Sequence, residues 1–262
     1  MMEEFIEING RNIYIKSSGN GEPIIFLHGS LLTSAMWDSQ TEYFSKYYKT
    51  IAFDFCGYGK SDLPNDLYSD YEDLKIILDK MNIDKAIIAG CSYGGSVALD
   101  FTLKYPEYVE KLILITPAIN GYKYPLKLTF ESIKNFRNVH KLGIEKAAEL
   151  FMNNKYWHYF IPKNNISREM FKNIFIENKY FYNGNYSKKQ NLKPAAIKRL
   201  SEIKNNVLII GSEDDSKFNK DAIKILCKKI EHAEKFEIKY CGHLPNMEKG
   251  EEINKIIEEY IE

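Results

Sequence analysis

The chain has 262 residues, of which 44% are hydrophobic, and its 36 Lys and Arg residues balance its 36 Asp and Glu residues. This length and composition suffice for one domain with a buried core. A net charge of zero gives no electrostatic reason to expect nucleic acid or an anionic membrane surface as a partner. The sequence therefore predicts a globular protein that acts on a small molecule.

The start of the chain and its cysteines bear on the cellular compartment. No run approaches the roughly 18 apolar residues that a membrane span needs, and the acidic start M-M-E-E-F-I-E is unlike a secretory signal. A cytoplasmic location is the resulting expectation. The cysteines lack the C-x-x-C spacing of a zinc or redox site, so we expect reduced thiols. These cysteines are Cys56, Cys91, Cys227 and Cys241.

The first predicted element is an antiparallel hairpin at residues 4–16. Two β-like runs, F-I-E-I and N-I-Y-I-K, flank Asn9-Gly10, a pair that favours a tight turn. Five short apolar runs without polar alternation follow, a pattern typical of parallel strands that are covered on both faces. They cover residues 24–27, 50–53, 86–89, 112–115 and 207–210.

Segments with helical periodicity lie between and after the predicted strands. In two of them the apolar residues fall on one helix face. This alternation predicts an α/β domain with a mainly parallel sheet, because each parallel crossover needs a covering helix. The apolar faces consist of Tyr71, Leu74, Ile77, Leu78 and Met81 in the first segment, and of Ile253, Ile256, Ile257, Tyr260 and Ile261 in the second.

The alternation stops between Asn120 and Pro194. This stretch holds 15 of the 36 aromatic residues, with helical pieces such as residues 144–152 and no clear buried-strand run. We interpret residues 120–194 as a helical insertion between two parts of the core, residues 1–119 and 195–262. It can form a small helical layer, a lid over a pocket, or both. Its position after a strand favours the lid, because such folds bind ligands beyond the carboxyl ends of their strands.

Residues 90–94, G-C-S-Y-G, lie between a predicted strand and a helix-like run. A G-x-S-x-G string is weak evidence alone, but this position matches the strained turn that presents a nucleophilic serine. Gly90 and Gly94 avoid contacts that side chains would make, and Ser92 projects at the helix N-terminus. The alternative interpretation is an ordinary glycine-rich turn.

A serine hydroxyl needs a base to take its proton, so the prediction requires a histidine and a carboxylate further along the chain. Two adjacent carboxylates, Asp214 and Asp215, follow the predicted strand at 207–210, and His243 follows the run F-E-I-K-Y. Each lies just past the carboxyl end of a predicted strand. The residues alone do not separate the two aspartates.

Together these motifs resemble the α/β-hydrolase superfamily, over nearly the whole chain except the insertion. H-G-S at 28–30 followed by Trp37 resembles the family's H-G loop, and residues 54–61 resemble its D-x-x-G-x-G-x-S turn. G-x-x-D at 211–214 and G-H-x-x-x-x-E at 242–248 also fit. The resemblance implies an α/β fold with a mainly parallel sheet of the eight-stranded type, flanked by helices, and a helical lid.

The same resemblance implies a catalytic triad of Ser92, Asp214 and His243. It favours Asp214 over Asp215, because the family's acid stands three residues after the glycine of the G-x-x-D motif. Asp215 is retained as the alternative carboxylate that orients the histidine.

The resemblance also implies the residues around the triad. The backbone N–H groups of Ser30 and Tyr93 are the expected oxyanion hole. His28 is expected to be a hydrogen-bonded structural residue rather than a second base. Cys91 is expected to pack beneath the turn rather than act as the nucleophile. No cofactor or metal ion is expected.

The predicted activity is that of a serine hydrolase, which cleaves a small apolar carboxylic ester or lactone through an acyl-enzyme on Ser92. A serine at this position argues against the related haloalkane dehalogenases and epoxide hydrolases, which need an aspartate nucleophile. Thioesters, carbon–carbon bonds and cofactor-free perhydrolysis stay open, because the same triad serves each. A small-ligand receptor or regulatory binding protein with little turnover is the alternative of another class.

Overall fold

The computed structural model describes residues 1–262 and contains one sheet of eight strands. The spatial strand order is β1-β2-β4-β3-β5-β6-β7-β8. Strand β2 pairs antiparallel with β1 and β4, and all other neighbours are parallel, so the prediction of a mainly parallel sheet is confirmed. The strands are β1 Met2–Ile8, β2 Arg11–Ser18, β3 Pro23–Leu27, β4 Lys49–Phe53, β5 Ala86–Cys91, β6 Val109–Ile115, β7 Asn206–Ser212 and β8 Ala233–Ile238.

The antiparallel hairpin at the sheet edge is also confirmed. Asn9 and Gly10 join β1 to β2 with φ angles of 52° and 75°, in the left-handed region that this pair tolerates. Strand β1 is largely exposed, whereas every residue of the central strand β5 is buried. The sheet is therefore open to solvent at this edge and covered at its centre.

Nine α-helices accompany the sheet, and it is flanked by those that lie outside the segment between β6 and β7. Helix α2 packs against α3, α1 packs against α9, and α7 packs on β7 and β8. No helix is both long and apolar enough to cross a bilayer. The helices are α1 Asp38–Phe44, α2 Asp70–Lys80, α3 Tyr93–Lys104, α4 Leu126–Leu142, α5 Ile144–Met152, α6 Asn165–Glu177, α7 Lys217–Lys229, α8 Pro245–Glu248 and α9 Gly250–Ile261.

The segment between β6 and β7 contains helices α4 to α6, several short 3₁₀ turns and no strand, as its sequence pattern predicts. Many of its aromatic side chains are buried. Phe151, Phe171 and Phe175 pack together and belong to the same hydrophobic cluster as the sheet residues. The segment is therefore packed firmly onto the core, and part of its aromatic content is ordinary core.

Candidate active site

Ser92 lies in the turn between β5 and α3. Its φ and ψ angles are 53° and −113°, and its residue is only 9% exposed. Non-glycine residues avoid positive φ unless the surrounding structure enforces it, and such strain concentrates at functional sites. The strand, the strained serine and the helix together form the geometry of a nucleophile elbow.

The two flanking glycines are required by close packing. A Cβ atom at Gly90 would lie 2.4 Å from the carbonyl oxygen of Gly94, and a Cβ at Gly94 would lie 2.1 Å from that of Leu27. Both contacts are with backbone atoms, which cannot rotate away. The elbow therefore depends on glycine at both positions.

Replacing Gly94 with alanine should destabilise the fold by about 3 kcal/mol or more, because the new methyl group has to displace the backbone of β3. Urea unfolding of the purified protein measures this loss. Gly250→Ala is the matched control, because its nearest neighbour is the rotatable Ser39 hydroxyl at 3.2 Å. Similar stabilities of the two variants would contradict the packing assigned to the elbow.

His243 connects the serine to a carboxylate. Its Nε2 lies 2.8 Å from the Ser92 Oγ, and its Nδ1 lies 2.8 Å from the Oδ2 of Asp215. His243 and Asp215 are 3% and 5% exposed. The histidine is therefore within reach of the serine proton, with an acceptor behind it that favours the tautomer protonated at Nδ1.

The carboxylate at the histidine is Asp215, so the assignment of Asp214 is wrong. The chain turns directly after β7, where the N–H of Asp215 donates back to the carbonyl of Ser212 over 3.4 Å. The N–H groups of Glu213 and Asp214 tie this turn to the carbonyls of Ile238 and Cys241. Asp215 faces His243 from the turn, whereas Asp214 points outward, where its half-exposed carboxylate pairs with Lys163.

Asn219 anchors the carboxylate and was not found from the sequence. Its Nδ2 donates to the Oδ1 of Asp215 over 2.8 Å, and the N–H of Ser216 donates to the same oxygen over 2.6 Å. Oδ2 is thereby left to His243. Asn219 lies in the first turn of α7, and the only sequence signal was its position four residues after Asp215.

The segment between β6 and β7 helps to hold the histidine. The N–H of His243 donates to the carbonyl of Tyr159 over 2.7 Å, and the ring of Phe160 stacks on the imidazole with centroids 5.1 Å apart. From the core side, the hydroxyl of Thr116 donates to the His243 carbonyl over 2.7 Å. His243 is thus held by both the core and this segment.

Two backbone N–H groups are available beside Ser92. The loop after β3 packs against the elbow, since a Cβ at Gly29 would lie 3.5 Å from the Ser92 Cβ. The N–H of the next residue, Ser30, donates to no atom of the chain. Tyr93 is the first residue of α3, so its N–H has no acceptor within the helix. Both residues line the same cavity as Ser92, the arrangement expected of an oxyanion hole.

The side chain of Tyr93 is tied to two other elements. Its hydroxyl donates to the buried carboxylate of Asp70, the first residue of α2. The Nζ of Lys189 lies 2.9 Å from the same carboxylate oxygen and 4.0 Å from the centroid of the Tyr93 ring. These contacts fix the residue that follows Ser92.

His28 and Cys91 have structural environments. The Nδ1–H of His28 donates to the carbonyl of Gly29 over 2.8 Å, its Nε2 accepts from the N–H of Phe55 over 3.0 Å, and burial lowers its pKa. The prediction of a hydrogen-bonded structural histidine is confirmed. Cys91 is fully buried with its Sγ 3.8 Å from the Thr116 hydroxyl, and burial raises its thiol pKa to about 12.

Ser92 and His243 open into a cavity of about 300 Å³. Eleven of its 17 lining residues are hydrophobic, and none is Lys, Arg, Asp or Glu. A larger polar groove elsewhere on the surface includes none of the three hydrogen-bonded residues Ser92, His243 and Asp215. The lining residues are Ser30, Leu31, Ser92, Tyr93, Ala118, Tyr124, Leu128, Ser132, Asn135, Phe136, Trp157, Tyr159, Phe160, Phe181, Phe218, Asn219 and His243.

A serine at an elbow after the central strand, with a histidine and an aspartate after later strands, defines the α/β-hydrolase class on this sheet. The family model described as alpha/beta hydrolase fold matches residues 22–250, and the chain belongs to this family.

Relatives and solved structures agree with this assignment. A 2-hydroxy-6-oxo-6-phenylhexa-2,4-dienoate hydrolase of Comamonas testosteroni is 26% identical over 95% of this chain and 91% of its own. A carboxylesterase of Bacillus subtilis (strain 168) is 33% identical over 46% of this chain and 45% of its own. The structure of a thermophilic esterase from Thermogutta terrifontis shares the fold, with a TM-score of 0.82 at 19% identity over 100% of this chain and 98% of that one. The chain is accordingly a hydrolase.

Proposed function

We propose that the protein hydrolyses small, uncharged carboxylic esters or lactones through an acyl-enzyme on Ser92. The observation that carries the proposal is the hydrogen-bonded series Ser92–His243–Asp215, with 2.8 Å between each pair of partners, at the wall of an apolar cavity. This arrangement supplies an activated nucleophile and a desolvated place for an acyl group.

In the acylation half, the Oγ of Ser92 attacks the carbonyl carbon and its proton moves to the Nε2 of His243. The carbonyl oxygen becomes an oxyanion that accepts hydrogen bonds from the N–H groups of Ser30 and Tyr93. The intermediate collapses as the carbon–oxygen bond to the leaving group breaks. The departing alcohol takes the proton from His243, and the acyl group stays on Ser92 as an ester.

In the second half, water replaces the alcohol. His243 removes a proton from the water, whose oxygen attacks the acyl carbon, and the same two N–H groups stabilise the second oxyanion. Collapse returns the proton to the Oγ of Ser92 and releases the carboxylic acid. Throughout the cycle Asp215 keeps the imidazole in its working tautomer and stabilises the imidazolium. No cofactor enters these steps.

We also propose that the helical segment 120–194 acts as the lid of this cavity. Helix α4 and the aromatic side chains of Trp157, Tyr159, Phe160 and Phe181 form much of the cavity wall. They exclude water from the acyl group, which strengthens the hydrogen bonds at the oxyanion. The segment thus shapes the substrate site, while the sheet and its loops supply the reacting groups.

The cavity favours a neutral substrate. A substrate carboxylate would lose its hydration without gaining a Lys or Arg partner, and burying an unpaired charge is costly. This argues against the second candidate, cleavage of a carbon–carbon bond in a substrate that carries carboxylates. That candidate draws support from relatives of nearly full length whose names denote carboxylates, such as the dienoate hydrolase.

A matched pair of chromogenic esters tests the neutral-ester proposal. We expect kcat/KM for p-nitrophenyl hexanoate to exceed that for the mono-p-nitrophenyl ester of adipic acid about 100-fold, because only the second carries a carboxylate into the cavity. Release of p-nitrophenolate is followed over many turnovers, with Cys91→Ala as a control that retains the rate.

Other outcomes of this assay distinguish the alternatives. Equal rates on the two esters would contradict the neutral-ester proposal and favour the carbon–carbon hydrolase. Release that stops after one p-nitrophenolate per chain would favour a receptor with little turnover.

A further inference from the structure

One face of helix α4 brings two polar residues into the mainly apolar cavity. Four residues share one side of this helix, because the last three follow the first by four, seven and eight positions. They are Leu128, Ser132, Asn135 and Phe136. All four line the cavity together with Ser92. The helix therefore presents an adjacent hydroxyl and amide, between an aliphatic and an aromatic side chain, to the space that the acyl chain or the alcohol would fill.

This polar pair has unused hydrogen-bonding capacity. The Nδ2 of Asn135 donates to the hydroxyl of Tyr182 over 3.1 Å, and this bond orients the amide. The Oδ1 of Asn135 accepts no hydrogen bond from the chain, nor does the Ser132 hydroxyl bond to any atom of it. Asn135 is only 5% exposed. Because buried polar groups are normally satisfied, the Asn135 Oδ1 needs water or a ligand group as its partner, and the partly exposed Ser132 hydroxyl beside it can bind the same group.

We propose that Ser132 and Asn135 form a subsite for a neutral substrate group that both donates and accepts hydrogen bonds, namely a hydroxyl or a carboxamide. A hydroxyl can accept from the Ser132 O–H while it donates to the Asn135 Oδ1. A carboxylate only accepts, and it finds no cation in this cavity. The inference rests on the proposed ester hydrolysis and narrows its substrates to hydroxylated or amide-bearing esters.

Selectivity for a polar ester over an alkyl ester follows from whether Ser132 and Asn135 keep hydrogen-bond partners when the ester is bound. A substrate hydroxyl replaces the water that otherwise satisfies the pair, and it keeps both hydrogen bonds. An alkyl group of the same length displaces that water and leaves two buried polar groups unpaired. Sites built to bind a hydroxyl discriminate strongly against analogues that lack it.

The test compares esters that differ only in the polar group. For the acyl part of the ester, p-nitrophenyl pentanoate and hexanoate are compared with their 3-hydroxy and terminal carboxamide counterparts. For the alcohol part, ethyl butyrate is compared with 2-hydroxyethyl butyrate. The variants are Ser132→Ala and Asn135→Leu. Thr129→Val is the matched control, because Thr129 lies exposed on the same helix and does not line the cavity.

We expect at least one polar ester to exceed its alkyl counterpart about tenfold in kcat/KM with the wild-type protein. This preference should fall below about threefold in Ser132→Ala and in Asn135→Leu, whereas Thr129→Val should keep both the preference and the alkyl ester rate of the wild type. No preference in the wild type, or a preference that survives both substitutions, would overturn the subsite while leaving ester hydrolysis intact. Failure to hydrolyse any ester would instead overturn the proposed function itself.

Discussion

Asp215→Asn is expected to lower kcat about 10⁴-fold on p-nitrophenyl hexanoate, whereas Asp214→Asn should retain the rate within about twofold. Asparagine can donate its amide N–H to the Nδ1 of His243, and this favours the tautomer whose Nε2 carries the proton. Such an imidazole cannot take the proton of Ser92. Asp214 contacts Lys163 at the surface and has no part in this exchange.

Steady-state kinetics of the two variants give the comparison, and thermal unfolding checks that both are folded. The pair is closely matched, because the substitutions are the same and the positions are adjacent. A large loss in Asp214→Asn with a small loss in Asp215→Asn would show that the other aspartate orients the histidine in solution.

Ser92→Ala is expected to reduce kcat about 10⁵- to 10⁶-fold, because it removes the proposed nucleophile and with it the proposed acyl-enzyme. The residual rate over the uncatalysed reaction comes from binding and the oxyanion donors, which alanine leaves in place. The measurement is p-nitrophenolate release under substrate saturation.

Ser96→Ala serves as its control, because Ser96 lies one helical turn further along α3 and does not line the cavity. Its rate should stay close to that of the wild type. Ester turnover that persists in Ser92→Ala would mean that another residue performs the attack.

The turn that holds Ser92 was predictable because the evidence for it is local. The apolar run before Gly90, the small residues and the helix-like run after Ser92 are contiguous in the sequence. The structure has a buried strand, a tight turn and a helix at these places, and a Cβ atom at Gly94 would lie only 2.1 Å from the carbonyl oxygen of Leu27. The sheet was predictable for the same reason, since each buried strand is a short, uninterrupted run of apolar residues.

The choice between Asp214 and Asp215 was not local. It depends on the turn that follows β7, which is held by hydrogen bonds to the carbonyls of Ile238 and Cys241 on a distant part of the chain. In this turn the side chain of Asp215 contacts His243 and that of Asp214 contacts Lys163. Counting from Gly211 therefore gave the wrong aspartate.

The residues that hold His243 in place could not be identified from the sequence either. Asn219, Phe160 and Tyr159 contact His243 or its aspartate only after α7 and the helical segment have packed. Their residue types are common in any helical core. The aromatic content of residues 120–194 could not show which rings line the cavity and which pack inside, and the structure separates these two groups.

The most direct test of the proposed mechanism is to identify the residue that reacts with a serine-directed reagent. The protein is treated with a fluorophosphonate, and its mass, the modified peptide and the remaining esterase activity are measured together. We predict one adduct per chain on Ser92, with activity lost in proportion to labelling, no labelling of Ser92→Ala, and slow labelling of Asp215→Asn. An adduct on Cys91 or any other residue, or full activity after complete labelling, would contradict Ser92 as the nucleophile.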